Sequence, residues 1–222
     1  RNPRPGEITL AHRGVLFLDE MPEFSRRSLE ILRQPLEDKV IRISRVYGTY
    51  DFPADFMLCA AMNPCPCGHY PDMNRCRCTP AQVMQYLGRI SQPLLDRLDL
   101  CAEVSPVDFE GLSSGRKGES TQTIRERVIC AQDIQRERYK IEGIQFNGEL
   151  SGAQIEKYCK MEKDARQLLK MAFQNMPFSA RAYHRILKVA RTIADMEATE
   201  SIHRHHIAEA LSYRAFDKKY WN

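Results

Sequence analysis

The chain has 222 residues, a formal net charge of +4 and 43% hydrophobic residues, which is the composition of an ordinary soluble globular protein. This length exceeds one average domain, falls short of two and allows a sizeable buried core. No apolar run approaches the roughly 20 residues of a membrane span, and arginines and prolines stand at the N-terminus where a signal peptide would carry an apolar core. We therefore expect a cytoplasmic protein without a membrane partner. The mild positive charge permits nucleic-acid binding without arguing for it.

The first informative segment, residues 14–20, is a continuous apolar run, GVLFLDE, that ends in two adjacent carboxylates. A strand with two apolar faces suits the buried middle of a parallel sheet, and ligands bind where such strands end. In a nucleoside triphosphatase Asp19 would hold Mg²⁺, and Glu20 would orient and deprotonate the attacking water. Taken alone, the segment is also compatible with a strand that runs into an exposed acidic turn.

The next two predicted elements are a helix and a hairpin. Residues 25–34 have helical periodicity, and residues 39–55 alternate apolar and polar side chains around a Tyr-Gly-Thr turn. The hairpin carries Arg42, Arg45 and Tyr47, a basic and aromatic mixture that suits phosphate contact and base stacking. Basic side chains that protect an exposed edge strand from aggregation explain the same composition equally well.

A second apolar strand is predicted over residues 56–62, and it ends at Asn63. The cysteines that follow have the spacing C-x-C-x8-C-x-C and are Cys65, Cys67, Cys76 and Cys78. Four thiols in a short loop of a cytosolic protein favour a tetrahedral Zn²⁺ site, in which His69 could replace one sulfur. Free thiols in a compact loop, or disulfides, remain the alternatives. The scattered Cys59, Cys101, Cys130 and Cys159 are expected to be small buried residues.

The second half of the chain is predicted to be helical. Residues 1–107 alternate strand-like runs and helices, residues 108–120 are rich in Gly, Ser and charge, and residues 121–222 show helical periodicity without a strand pattern. We therefore expect an α/β unit, a linker and an all-α unit. On the helix predicted over 179–195, Arg181 and Arg185 share one side, which for an arbitrary helix is a solvated basic face.

Three histidines, His203, His205 and His206, lie at the predicted start of the last helix. They have no acidic or thiol partner nearby in the sequence. We expect a solvated helix start there rather than a metal site.

The order of these motifs resembles an AAA+ ATPase of the magnesium-chelatase-related ComM/YifB group, and the resemblance covers nearly the whole chain. It implies a parallel-sheet core with an inserted β-hairpin over 1–107, a linker over 108–120 and a helical lid over 121–222. It also implies ATP and Mg²⁺ as cofactors. Asp19 and Glu20 would be the Walker B acids, and Asn63 would be sensor 1. Arg97 would be an arginine finger that acts in trans, and Arg181 would be sensor 2, with Arg185 as a second candidate for that role. In a monomer Arg97 is expected at the surface, with Asp96 or Asp99 as its alternative partner.

One motif of that family does not occur. A Walker A loop, G-x-x-x-x-G-K-[ST], is absent from the 222 residues, and the cluster at 115–118 has neither its spacing nor a preceding apolar strand. The expectation is therefore a fragment that opens inside the ATPase domain and is inactive by itself.

The resemblance also implies what the full-length protein does. It predicts a ring-forming, hexameric, ATP-driven motor, in the first instance a ComM-like DNA helicase that drives branch migration, with the hairpin as a DNA or partner contact. A chelatase-type ATPase that remodels a protein partner is the alternative. A non-catalytic scaffold is a third interpretation, and the retention of the catalytic acids and arginines argues against it.

Overall fold

The computed structural model describes residues 3–104, 113, 118–176 and 178–214. Contacts divide these residues into two compact units, residues 3–98 and residues 99–214. Most of the predicted linker, 108–120, lies outside the described residues, so the predicted domain boundaries stay predictions. No helix in the described part of the chain is both long enough and apolar enough to cross a membrane.

Unit 1 mixes short helices with two small sheets. In chain order its elements are α1 (Glu7–Leu10), β1 (Val15–Leu18), a 3-10 turn (Met21–Glu23), α2 (Arg26–Ile31), α3 (Arg33–Asp38), β2 (Val40–Arg45), β3 (Gly48–Pro53), β4 (Met57–Ala60), α4 (Pro80–Leu87) and α5 (Gln92–Leu95). β1 pairs in parallel with β4, so that Leu18 lies opposite Ala60. β2 and β3 form the predicted antiparallel hairpin, in which Arg45 lies opposite Gly48.

The helix predicted over 25–34 is two helices in the structure. Ser25 caps α2, because its hydroxyl accepts a hydrogen bond from the Ser28 backbone at 3.1 Å. α2 ends at Ile31 and α3 begins at Arg33. Pro35 explains the break, since it has no N–H to donate to the carbonyl of Ile31 and its ring would collide with that carbonyl.

The prediction that β1 is buried on both faces is wrong for the described chain. Leu16 and Leu18 pack against the core formed around Met21 and Leu94, whereas Val15 and Phe17 are each 58% exposed. Among residues 3–104, β4 is the only strand that pairs with β1. One face of the small parallel sheet is therefore covered and the other is open.

Unit 2 is helical. It contains α6 (Thr121–Arg138), a 3-10 turn (Asn147–Glu149), α7 (Gly152–Tyr158), α8 (Lys163–Asn175), α9 (Ala180–Met196) and α10 (Arg204–Ser212). α9 buries Ile186, Leu187, Ala190 and Ala194 against the other helices, as the periodicity predicts. An α/β unit followed by a helical unit is thus confirmed at this coarse level.

A buried ionic network joins α6 to α9. Asp195 is 1% exposed and accepts hydrogen bonds from both guanidinium nitrogens of Arg138, from Arg191 Nε at 3.1 Å and from Asn147 Nδ2 at 2.8 Å. Tyr139 Oη donates to Asn147 Oδ1 at 2.5 Å. Asp195 and Arg191 are therefore removed from water together, the Arg138 side chain stays 19% exposed, and the network fixes how the two helices meet.

Candidate functional site

The two acids lie in a tight, strained turn directly after β1. Both side chains are exposed, and Asp19 Oδ1 accepts a hydrogen bond from the Glu20 backbone at 2.9 Å. Glu20 has φ +49° and ψ +46°, in the left-handed region, which costs a non-glycine residue about 1–2 kcal/mol. The Met21 N–H donates to the carbonyl of Ala61 at 3.0 Å, which ties the turn to the chain that leaves β4.

Asn63 leaves the sheet at the same edge as the acids. β1 and β4 are parallel, and their pairing continues beyond the strands, because the Ala61 N–H donates to the Leu18 carbonyl at 2.9 Å. The exposed Asn63 follows two residues later, with its amide oxygen 3.8 Å from where a side chain on Gly68 would begin. This edge thus offers two carboxylates and an amide, hard oxygen donors of the kind that Mg²⁺ prefers.

Arg97 is not at the surface, so that expectation is wrong. Its side chain is 6% exposed and donates to Glu37 Oε2 at 2.7 Å and to the Pro93 carbonyl at 2.5 Å. The reason is a contact between segments 60 residues apart. The chain after α5 directs the guanidinium toward α3, where Glu37 supplies the carboxylate. Neither Asp96 nor Asp99 is that partner.

In unit 2, Arg181 and Arg185 both lie on α9, and their surroundings differ. Arg181 is exposed, whereas Arg185 forms an ion pair with Asp99, and its side chain is 20% exposed. Lys188, one turn further along, donates to the Gly148 carbonyl at 2.9 Å. The basic face is therefore partly committed to contacts within unit 2, and the sensor roles of the two arginines stay predictions.

The four clustered cysteines converge on one point. Sγ of Cys65 lies 3.4 Å from that of Cys67 and 3.8 Å from that of Cys76, and the sulfurs of Cys67 and Cys76 are 3.6 Å apart. With Cys78, all four sulfurs lie within 4.8 Å of one another, and His69 is not part of the group. A disulfide would bring two sulfurs to about 2.05 Å, whereas a tetrahedral ion with Zn–S bonds of about 2.3 Å separates them by about 3.8 Å.

Backbone amides support the negative charge of this cluster. The Tyr70 N–H points at Cys65 Sγ at 3.4 Å. Backbone N–H groups of His69 and Arg77 lower the pKa of Cys67 to about 6. At Cys76 a backbone hydrogen bond from Cys78 lowers the pKa of the thiol. Burial and the neighbouring sulfurs outweigh it and raise that pKa to about 12. The four thiols therefore form a group that could hold a metal ion.

The remaining cysteines are less uniform than predicted. Cys159 is buried and burial raises its pKa to about 11, and Cys101 is half-buried. Cys59 and Cys130 are exposed, so the expectation of burial is wrong for both. Cys59 lies on the open face of the small sheet, and Cys130 lies on a solvent-facing part of α6.

The tip of the hairpin carries two exposed apolar side chains, and its arginines are exposed along the strand. Val46 and Tyr47 at the tip are 95% and 96% exposed. Arg42 is bound by both oxygens of Asp51, at 2.9 and 3.0 Å, and this hydrogen-bonded partner raises the pKa of the guanidinium. Arg45 is exposed beside the turn. A ligand that approaches the tip of the hairpin would meet an aliphatic and an aromatic side chain, with Arg45 beside them.

The histidines at the start of α10 have an acidic partner that the sequence analysis missed. Glu197 Oε2 lies 2.9 Å from His205 Nε2 and 3.0 Å from His206 Nε2. His206 Nδ1 accepts a hydrogen bond from the His203 backbone at 2.9 Å, so its proton is on Nε2 and is donated to Glu197. The ligand atoms of Glu197, His205 and His206 lie within 4.8 Å of one another, and the expectation of a solvated helix start is wrong for His206, which is buried. The signal available in the sequence was Glu197 itself, just before the turn that leads into α10.

Two family matches cover the chain. Residues 1–112 match the family described as "Magnesium chelatase, subunit ChlI", and residues 118–214 match "Magnesium chelatase, subunit ChlI C-terminal". These families imply an AAA+-like fold, which agrees with an α/β unit followed by a helical one.

Individual proteins give the same result. The chain is 48% identical over 218 residues to the uncharacterized protein YifB of Salmonella typhimurium, a match that covers 97% of this chain and 42% of that protein. It is 48% identical over 214 residues to competence protein ComM of Haemophilus influenzae, covering 96% and 41% respectively. YifB of Escherichia coli is 46% identical over 218 residues, covering 97% and 42%. The chain spans about two fifths of the length of these relatives. On this evidence, the chain belongs to the magnesium chelatase ChlI-related family, in the group that contains YifB and ComM.

Proposed function

We propose that the full-length protein hydrolyses ATP and that the edge formed by Asp19, Glu20 and Asn63 is its reaction centre. The observation that supports this most is the parallel pairing of β1 with β4, which puts two carboxylates and an amide at one sheet edge. The carboxylate oxygens of Asp19 fit Mg²⁺, which when bound would neutralise phosphate charge. Glu20 would accept the proton of the attacking water, and the Asn63 amide would orient that water.

The phosphate cradle is the part that this sequence does not supply. Without a Walker A motif among its 222 residues, the chain by itself should bind ATP only weakly, because the backbone amides and lysine that hold the β- and γ-phosphates are absent. Isothermal titration tests this directly. A sub-millimolar dissociation constant for ATP would contradict the proposal.

The arginines are proposed to complete the site in a ring of subunits. Arg97 would approach the γ-phosphate of a neighbouring subunit, and Arg181, with Arg185 as second candidate, would contact the nucleotide of its own subunit. The ion pair between Arg97 and Glu37 adds a condition to this role. The guanidinium has to leave Glu37, or move together with it, before it can act in trans.

The cysteine cluster is proposed to be a structural zinc site. Its donors are four sulfurs, the ligands that Zn²⁺ prefers, and their separations of 3.4, 3.6 and 3.8 Å are close to the edge of a zinc tetrahedron. Holding the loop in this form also holds Gly68 next to Asn63. The metal would then support the proposed reaction centre from one side without taking part in the reaction.

The substrate of the motor is proposed to be DNA. The exposed Tyr47 suits stacking on bases, and one relative carries the name competence protein ComM. The second candidate is a motor that remodels a protein. Two observations support it: Val46 at the tip is aliphatic, and the charge of Arg42 is balanced by Asp51. The protein is proposed to be cytoplasmic, where either substrate is available.

One experiment separates these two substrates. ATP hydrolysis and DNA binding are measured on the full-length protein at several salt concentrations, for the wild type and for Tyr47→Ala. A DNA motor should show ATPase activity that DNA stimulates, an affinity that falls as salt rises, and weaker DNA binding in the variant. ATPase activity that DNA leaves unchanged would support the protein-remodelling candidate, and no ATPase activity would overturn both.

A further inference from the structure

The strained turn at Glu20 needs something to hold it, since a left-handed non-glycine residue persists only where its surroundings enforce it. Three main-chain hydrogen bonds define the turn: Met21 N–H to Ala61 O at 3.0 Å, Glu23 N–H to Glu20 O at 2.7 Å and Phe24 N–H to Met21 O at 3.2 Å. All three depend on the position of residues 20–24. Met21 and Pro22 are buried and hold one side of the turn by packing, whereas the side chains of Glu20 and Glu23 are exposed and contribute little packing.

A side chain from a distant segment braces this turn. Arg89 Nη1 donates to the Pro22 carbonyl at 2.8 Å and to Glu23 Oε2 at 3.0 Å, across 67 and 66 residues of sequence. The guanidinium also lies 5.9 Å from the ring centre of Tyr86. The Arg89 guanidinium therefore binds both the main chain and a side chain of the turn that starts at Glu20.

The segment that carries Arg89 is itself firmly anchored. α4 buries Val83, Tyr86 and Leu87 against Cys65 of the cysteine cluster. After α4 the chain turns closely, with the Arg89 N–H donating to the Tyr86 carbonyl at 3.3 Å. A Cβ on Gly88 would lie 2.9 Å from the Met84 carbonyl, so glycine is needed for this close turn. Arg89 thus projects from a fixed base that links the cysteine cluster to the acidic turn.

We propose that Arg89 is a positioning residue that holds the turn from Glu20 to Phe24, and so fixes the direction of the Glu20 carboxylate, through its bond to the Pro22 carbonyl. Its role in turnover rests on the proposed ATPase function, whereas its role in holding the turn does not. Arg89 touches neither water nor nucleotide in this proposal. It acts only through the main chain that carries Glu20.

A simpler explanation is an ordinary surface ion pair between Arg89 and Glu23, whose side chains are 43% and 55% exposed. Exposed ion pairs contribute little to stability. The two explanations differ in which bond matters. Glu23→Gln removes the ion pair and leaves the bond to the Pro22 carbonyl, whereas Arg89→Ala removes both.

The first test is hydrogen exchange on the 222-residue chain, read at the amides of Met21, Glu23 and Phe24. Arg89→Ala should speed exchange at these amides about ten- to a hundredfold, the usual effect of losing a charged hydrogen bond, while α4 amides stay unchanged. Arg89→Lys should restore part of the protection, and Glu23→Gln should change it less than threefold. Unchanged exchange in Arg89→Ala, or an equal loss in Glu23→Gln, would overturn the proposal.

The second test is turnover by the full-length protein. In Arg89→Ala, kcat should fall at least about tenfold while KM for ATP stays within about threefold, because the general base is misdirected and the nucleotide contacts are not. An unchanged kcat alongside faster exchange would refute the effect on Glu20. If the wild type itself does not hydrolyse ATP, the proposed function fails, and hydrogen exchange still decides whether Arg89 holds the turn.

Discussion

Replacing Asp195 by alanine should be the most damaging single change in the helical unit. The carboxylate accepts hydrogen bonds from Arg138, Arg191 and Asn147, and Asp195 and Arg191 are both 1% exposed. Asp195→Ala leaves these donors without their shared acceptor, with Arg191 buried from water and the Arg138 side chain 19% exposed. The cost comes mainly from the buried positive charges that remain, rather than from the attraction that is lost.

The magnitude follows from that burial. Removing one partner of a buried ion pair costs about 3–5 kcal/mol, whereas an exposed pair contributes at most about 1 kcal/mol. The matched control is Asp133→Ala on the surface of α6, where Arg136 and Asp133 form an ion pair at 2.9 Å with side chains 54% and 61% exposed. The two substitutions remove the same chemical group in the same unit and differ mainly in burial.

Hydrogen exchange at the amides of α9 provides the assay, because it reports the free energy of opening of this unit even if the other unit unfolds separately. Asp195→Ala should lower that free energy by about 3–5 kcal/mol and Asp133→Ala by less than about 1 kcal/mol. A loss below about 1 kcal/mol for Asp195→Ala would refute the account of the network.

Three further predictions concern the metal site, the pH dependence and the ring. The purified protein should contain about one equivalent of zinc with Zn–S distances near 2.3 Å, and Cys76→Ser should weaken zinc binding. An ordered loop that stays metal-free after incubation with Zn²⁺ would contradict the proposed zinc site. Hydrogen bonds from Lys157, Tyr158 and Gln154 lower the pKa of Glu142 from 4.5 to about 2, so their contribution to stability is present above pH 4.5 and is lost as pH falls toward 2. Glu142→Gln should therefore reduce the loss of stability between pH 4.5 and about 2. An unchanged dependence of unfolding stability on pH in this variant would count against the contribution of Glu142. Full-length subunits with Arg97→Ala and others with Glu20→Gln, each inactive alone, should regain partial ATPase activity in mixed rings. If mixed rings stay inactive at every ratio while Arg97→Ala rings still bind ATP, Arg97 does not act across the interface or the ring requires every site to be intact.

Local signals in the sequence were sufficient for many elements. The hairpin predicted around Tyr47-Gly48-Thr49 is present, with its turn at Val46 and Tyr47, and Thr79 forms a capping box with Gln82 through bonds of 2.8 and 3.3 Å. The Ser151 N–H likewise donates to Gln154 Oε1 at 2.9 Å. These features depend on residues three or fewer positions apart, which is why patterns reveal them.

Long-range partners could not be read from the sequence. Arg97 meets Glu37 across 60 residues, and Arg89 reaches the Pro22 carbonyl across 67. The sequence of either segment does not indicate its partner, because a charged side chain has many possible neighbours until the fold brings two segments together. The same limit applies to β1, because an apolar run does not specify which of its faces the rest of the chain covers.

The most direct test of the central claim is ATP turnover by the full-length protein with Glu20→Gln. If Glu20 is the general base, the variant should bind ATP with nearly unchanged affinity and hydrolyse it about two to four decades more slowly, so that bound ATP is trapped. Glutamine preserves the size of the side chain and removes only its ability to accept a proton. Turnover at the wild-type rate in this variant would contradict the assignment of the carboxylate edge as the reaction centre.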